Sequence, residues 1–407
     1  YFVAIRCDVI CLGRLIHGSG SLVLQKETGL VRIMLSRIWS ISIKEFLHLR
    51  YDWWLPAFML IGGAIELLVI GWATSRPITN LPLMVLDHDR SASSREIIIA
   101  LENTGTFQLK SQAYDFQTIE EALDRGQINA AMIIPPNFGD EMASANGQPT
   151  LSVILNGAES IPATTALRTL EGVARDIGEQ ITIQRIGIKP ETIARFNPSL
   201  RVWFNESLSE ALYSTPAELG LMLEFIILLF AALTFSREKE LGTLESLLVM
   251  PFTSLEIIIG KSIPVIIIGM LAFGSMLGMV HLVFDVPVRG SLGLLIILAF
   301  VYVLVELGKG LVISVISRTQ HQAFLLVMLV GMTDFLFTGY AAPVEGMPQF
   351  LQYVANFIPA HHWLAIMRGI LLKGAGFDVL WINVLALLLL GLVIGTFSLR
   401  YVRRSLN

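Results

Sequence analysis

Cysteine is almost missing from this 407-residue chain: the only two, Cys7 and Cys11, lie at its N-terminal end. A disulfide framework is therefore excluded from everything downstream, and a Cys-x3-Cys spacing without a companion Cys or His pair is a poor metal-site pattern. Charge is scarce too, at 15% of residues, and there are only 7 histidines. No Ser/His/Asp set, H-x-x-x-H spacing or repeated Cys pair stands out, so neither hydrolytic nor metal catalysis is indicated, and no cofactor is expected. A formal net charge of -4, with no basic stripe, argues against nucleic acid as a partner.

What the sequence does have is apolar length. Hydrophobic residues make up 54% of it, more than a soluble core of this size needs. Runs of about 20 mostly apolar residues, enough to cross a bilayer as helix, occur at 53–73, 219–235, 262–284, 291–316, 323–341 and 378–399. The segment 343–373 is interrupted by Pro359, His361, His362 and Arg368 and reads as a re-entrant or interfacial helix pair. The expected fold is an α-helical polytopic membrane protein with six transmembrane helices and an inserted α/β extracytoplasmic domain at 74–216.

Basic residues give the orientation. Arg6, Arg14, Lys26, Arg32, Arg37, Lys44, Arg50, Arg237, Lys239, Lys261, Arg318, Arg400, Arg403 and Arg404 fall on one side, against Arg289, Arg368 and Lys373 on the other. The positive-inside bias places both termini and the 236–261 loop in the cytoplasm, with 400–407 a basic tail. Residues 34–52 alternate basic and apolar side chains at helical spacing, as a cytoplasmic amphipathic helix lying on the membrane would. Residues 1–33 show neither a signal-peptide cleavage pattern nor a clear period and read as an uncertain N-terminal extension, with Met34 a natural starting point.

Within the insert, residues 76–213 carry 11 Lys and Arg against 17 Asp and Glu. Short β-like runs such as "LPLMVLD", "FQLKSQA", "NAAMIIP" and "TLSVIL" alternate with helical patterns such as "SSREIIIALENTG", which predicts a compact α/β domain. Asp87, His88 and Asp89 could form a metal or acid/base group, but a strand end entering a turn is where Asp caps backbone amides routinely.

Two features remain. Glu66, Glu224, His281, Glu306, Lys309 and Asp334 interrupt the spans; each is costly in lipid and should face protein or a water-filled cavity. Glu306 and Lys309, three apart, should pair on one helix face, while Glu224 and Asp334 have no local partner. They are candidates for a polar pathway or for structural polar contacts. The second feature is "SREKELGTLESLLVMP", a charged block in an apolar chain. Its spacing predicts one helix from Ser236 to Met250, about 22 Å long at 1.5 Å per residue, with Leu241, Leu244, Leu247 and Leu248 on one face and Pro251 ending it. "GKS" at Gly260 to Ser262 mimics the end of a phosphate-binding loop, but Leu255 stands where the leading Gly belongs and no strand precedes it.

The charged block and its sequel "FTSLEIIIGKSIP", with "LDHDRSASSRE", "INAAMIIPPNF" and "GYAAPVEGMPQFLQYVANFIPAHHWLAIMRGILLKG", resemble the type 2 ABC transporter permeases of the drug- and lipid-export branch, in order across 34–407. The resemblance implies a half-transporter whose 236–261 loop is a coupling loop meeting a separate ABC ATPase subunit, so that ATP is handled by the partner and the chain is not itself an enzyme. It makes Arg237, Glu238, Glu240, Gly242, Thr243 and Glu245 the candidates for ATPase contact. It also implies a homodimer or a heterodimer with a related permease, location in the inner membrane, and a possible periplasmic adaptor. An ion-coupled secondary transporter using Glu224, Glu306 and Asp334, and a non-transporting envelope receptor or scaffold, are the competing readings; the first would show inverted repeats, of which none is convincing.

Overall fold

The computed structural model describes residues 19–74, 78–144, 147–186, 203–205 and 209–406. Cys7 and Cys11 lie outside the described residues. The chain divides into two compact units, one formed by Tyr1–Ser75 with Val202–Asn407 and the other by Arg76–Arg201.

The first unit is helical. It contains α1 (Ser19–Tyr51), α2 (Trp54–Thr74), α7 (Glu210–Glu240), α8 (Leu244–Val249), α9 (Ser254–Phe284), α10 (Leu292–Ile316), α11 (Gln320–Phe337), α12 (Gln349–Ala355), α13 (Pro359–Arg368) and α14 (Phe377–Leu406). Six of these, α2, α7, α9, α10, α11 and α14, are long and apolar enough to cross a membrane, as the sequence predicts. They differ in what surrounds them. The most apolar stretch of α7 is 89% buried and those of α2 and α14 only 17%, so α7 is the central post and the others present apolar faces outward. Outward apolar faces belong in lipid or against a partner, not in water.

Local chemistry sets the helix starts. Thr253 and Glu256 form a reciprocal capping box at α9, and Ser291 and Thr319 cap α10 and α11 through their side-chain oxygens. In the 343–373 segment, α12 and α13 form two short helices joined through His362, whose ring nitrogens lie 3.1 Å from Asn383 Oδ1 and 2.9 Å from the Asn356 carbonyl. Trp363 stacks on Tyr302 of α10 with ring centroids 5.0 Å apart.

The charged block departs from its expected shape. Instead of one helix from Ser236 to Met250, α7 continues through Glu240, the chain reverses, and α8 follows as a separate six-residue helix. The reason is Gly242, at φ +68°: its N–H donates to the Lys239 carbonyl and that of Thr243 to the Glu238 carbonyl, a helix-ending pair of bonds that a left-handed glycine makes possible. The leucine face is split as a result, Leu247 being buried and Leu241 60% exposed. Two further boundaries move: α1 begins at Ser19, upstream of the expected residue 34, and α9 begins at Ser254, inside the expected 236–261 loop.

The second unit is built on a four-stranded sheet ordered β2-β1-β3-β4, from β1 (Leu81–Asp87), β2 (Phe107–Gln112), β3 (Ala130–Ile134) and β4 (Ser152–Leu155). β1 runs parallel to β2 and β3, and β3 is antiparallel to β4. The two-residue period of β1 sends Leu83 and Val85 into one core with Ile97, Ile98 and Leu101 of α3 (Ala92–Asn103), and Met84 and Leu86 into another with Ile119 and Ala122 of α4 (Phe116–Asp124). Two smaller cores on opposite faces of one sheet are what βαβ connections produce. The unit also contains α5 (Phe138–Ala143) and α6 (Ser160–Ile186).

Candidate functional site

Three constellations collect the polar residues of the helical unit. The first surrounds Lys261, the lysine of the false phosphate-loop motif. Its Nζ lies 2.5 Å from Glu45 Oε1 of α1 and 3.1 Å from Glu238 Oε1 of α7, with a side chain 1% exposed. Lys44 Nζ donates to the same Glu238 oxygen at 2.7 Å. Thr243 donates from Oγ1 to the other oxygen of Glu238. Gly260 provides the approach: a Cβ there would sit 2.7 Å from Ile41 Cβ, and the Ser42 hydroxyl donates to the Gly260 carbonyl at 2.9 Å. The "GKS" tripeptide is therefore a docking point for α1 on α9. Its lysine is held by carboxylates and cannot receive a phosphate there.

The residues of the charged block divide by direction. Arg237 pairs with Asp52 at 3.1 Å. Lys239 donates to the Val315 and Ser317 carbonyls at the end of α10. Glu240 accepts from the Gln320 backbone N–H at 2.7 Å, at the start of α11. Glu238 is buried in the Lys261 cluster, Gly242 makes the turn, and Thr243 closes it. Glu245 faces outward, together with Leu241 and with Val249 and Met250, which are 87% and 49% exposed. Sequence reasoning picked out the charges; the exposed apolar side chains at the tip were the part it missed. A Gly inside the leucine pattern was the available signal.

The second constellation surrounds Lys309. Its Nζ lies 2.7 Å from Glu306 Oε2, 3.0 Å from Glu224 Oε1 and 2.5 Å from Asp334 Oδ2. The Glu306 pair at i,i+3 is as expected; Glu224 of α7 and Asp334 of α11, which have no local partner, join it from 85 and 25 positions away. The Tyr302 hydroxyl lies 3.4 Å from Glu224 Oε2, and Glu224 and Glu306 are fully buried. One ammonium thus faces three carboxylates drawn from α7, α10 and α11.

The third involves Glu66, which lines a cavity between α2, α7 and α11 together with Glu218, a residue the sequence reading passed over between its insert and its second span. His281 lies apart, its Nδ1 2.9 Å from the Val286 carbonyl just past the end of α9.

In the sheet unit, Asp87 accepts from the backbone N–H groups of Asp89 and Arg90 and from the Ser94 hydroxyl, and Asp89 accepts from the Gly139 N–H. Both carboxylates fasten loops to the strand end. Asp115 caps α4 in the same way; the Thr118 hydroxyl, and then its backbone N–H, hold the Asp115 carboxyl below the usual carboxylate range.

A family profile described as "ABC-2 family transporter protein" matches residues 53–400. The chain is 27% identical over 372 residues to the probable multidrug ABC transporter permease YbhR of Escherichia coli, covering 91% of this chain and 100% of that protein. It is 27% identical over 383 residues to the E. coli inner membrane transport permease YhhJ, covering 92% and 98%, and 27% identical over 361 residues to the probable multidrug ABC transporter permease YbhS, covering 86% and 93%. With the profile spanning nearly the whole helical unit and the sheet unit between its first two spans, this chain belongs to the ABC-2 transporter family as a multi-pass membrane permease.

Proposed function

We propose that the chain is the membrane subunit of an ATP-driven exporter of hydrophobic or amphipathic, drug- or lipid-like compounds, working with a separate ABC ATPase. The observation that carries this reading is the turn at Gly242. It presents Leu241, Glu245, Val249 and Met250 outward while Arg237, Glu238, Lys239 and Glu240 tie its base to four other structural elements and Thr243 closes the turn on Glu238. An exposed apolar tip on a rigid base transmits a push, which a mobile loop would not. In this reading the ATPase docks on the tip, and the inward-turned charges pass its motion to α1, α9, α10 and α11. The basic-residue bias supports a cytoplasmic tip with both termini on the same side, and residues 74–216 outside in an inner-membrane setting. Outward apolar faces on α2 and α14 suit lipid and the pairing of two permease chains, identical or related. An adaptor outside the membrane would engage the sheet unit.

Co-expression with a candidate ATPase tests the docking. Val249→Asp and Glu245→Lys are expected to reduce co-purification tenfold or more while leaving the permease folded; undiminished complex formation with both variants would remove the assignment. One observation favours a second reading, coupling to an ion gradient: the Lys309 cluster holds more acid than base within the spans.

A further inference from the structure

The cavity between α2, α7 and α11 has a volume of about 680 Å³, within the roughly 300–1,000 Å³ typical of small-molecule sites. Its walls are almost wholly apolar: Phe58, Met222, Phe225, Phe324, Met328 and Phe335 contribute rings and thioethers that adapt to ligands of varied shape. Against that lining stand two acids. Glu218 is 1% exposed, and neither of its carboxylate oxygens has a hydrogen bond of acceptable geometry. The Tyr340 hydroxyl is turned toward it and Glu66 is its charged neighbour. No Lys, Arg or His among the described residues forms a salt bridge with Glu66 or Glu218. The contrast with Glu224 and Glu306 is informative: those buried acids have Lys309, whereas among the described residues no cation pairs with the buried Glu218.

A buried carboxylate is retained where something compensates it. Aromatic rings add to the attraction, since their faces favour cations over neutral or anionic groups. We propose that this cavity is a binding site for lipophilic monocations, with the buried Glu218 of α7 the principal counter-charge and Glu66, exposed on α2, a second one. The proposal rests on the export reading and narrows it: among amphipathic compounds, those carrying one delocalised or quaternary positive charge bind here in preference to neutral ones of similar shape.

The test uses the full-length chain in detergent or nanodiscs without ATPase, so that its outcome is independent of whether export is ATP-driven. Equilibrium binding of tetraphenylphosphonium is compared with that of neutral triphenylphosphine oxide. Wild type is expected to hold the cation at least tenfold more tightly. Glu218→Gln, which keeps the side-chain shape, should lose about tenfold for the cation and leave the neutral compound unchanged, and Glu66→Gln should show a smaller loss of the same sign. Thermal unfolding of each variant establishes that it is folded; should Glu218→Gln not fold, Glu66→Gln and the wild-type preference carry the test. Charge-blind binding by wild type, equal loss of both probes in Glu218→Gln, or a cavity closed to tetraphenylphosphonium because a second copy fills it would overturn the proposal. Failure of ATP-driven export with cation preference intact would instead count against the export reading.

Discussion

Lys261 and Lys309 are both enclosed by carboxylates from neighbouring helices, yet the two clusters differ in charge balance. Around Lys261, two cations, Lys44 and Lys261, meet two anions, Glu45 and Glu238. Around Lys309 a single cation meets Glu224, Glu306 and Asp334. A balanced cluster pins α1, α7 and α9 in one arrangement, which suits the base of a docking tip. An acid-rich cluster binds α7, α10 and α11 only while its one lysine is in place, because the lysine offsets mutual repulsion of the carboxylates as well as their burial. Position in the sequence distinguishes neither; composition of the shell does.

The largest expected effect follows from that difference. Lys309→Met leaves three buried carboxylates without a cation and should cost about 3–5 kcal/mol, seen as a large drop in thermal midpoint in detergent; adding Glu224→Gln and Asp334→Asn to the same chain should restore much of it. Lys261→Met should cost less, about 1–3 kcal/mol, since Lys44 stays on Glu238 and Glu45 is the carboxylate that loses its partner. Equal losses in the two variants would erase the distinction between the clusters.

Gly260→Ala tests the docking of α1 without touching charge. The added methyl would overlap Ile41, and the expected loss is about 1–3 kcal/mol, with faster proteolysis of α1 as the specific sign. The smallest effect belongs to the exposed Asp115, where water rather than burial sets the scale. Its carboxyl titrates lower in the folded chain than the usual value near 3.9, so its stabilising contribution is present above about pH 4 and is lost as pH falls through the folded value. Asp115→Asn keeps a cap oxygen and should remove that dependence, measured as amide exchange in α4 from pH 5 to pH 2, with a small loss of protection at pH 7, where the carboxylate's contribution is fully present.

Much of the architecture was legible because twenty apolar residues in a row have few alternatives. The strand "LPLMVLD" was equally plain as a short, nearly continuous apolar run, since β1 is buried on both faces. The shape of the charged block was not. Its leucines kept helical spacing across Gly242, and only the φ of +68° reveals that the helix ends there. The clusters were half visible: Glu306 and Lys309 are three residues apart, but Glu224 reaches Lys309 across 85 positions and Glu45 reaches Lys261 across 216. Spacing rules describe one helix at a time. Partners brought in by packing carry no local signal, which is also why Glu218 escaped notice until its surroundings were known.

The central claim is that energy enters through the Gly242 tip from a separate ATPase. Proteoliposomes containing this chain and its purified ATPase test it most directly, through uptake of a fluorescent amphipathic compound into inside-out vesicles. Uptake is expected only with both proteins and ATP, and to be abolished by Val249→Asp. Transport by this chain alone, driven by a proton or sodium gradient and indifferent to Val249→Asp, would contradict it.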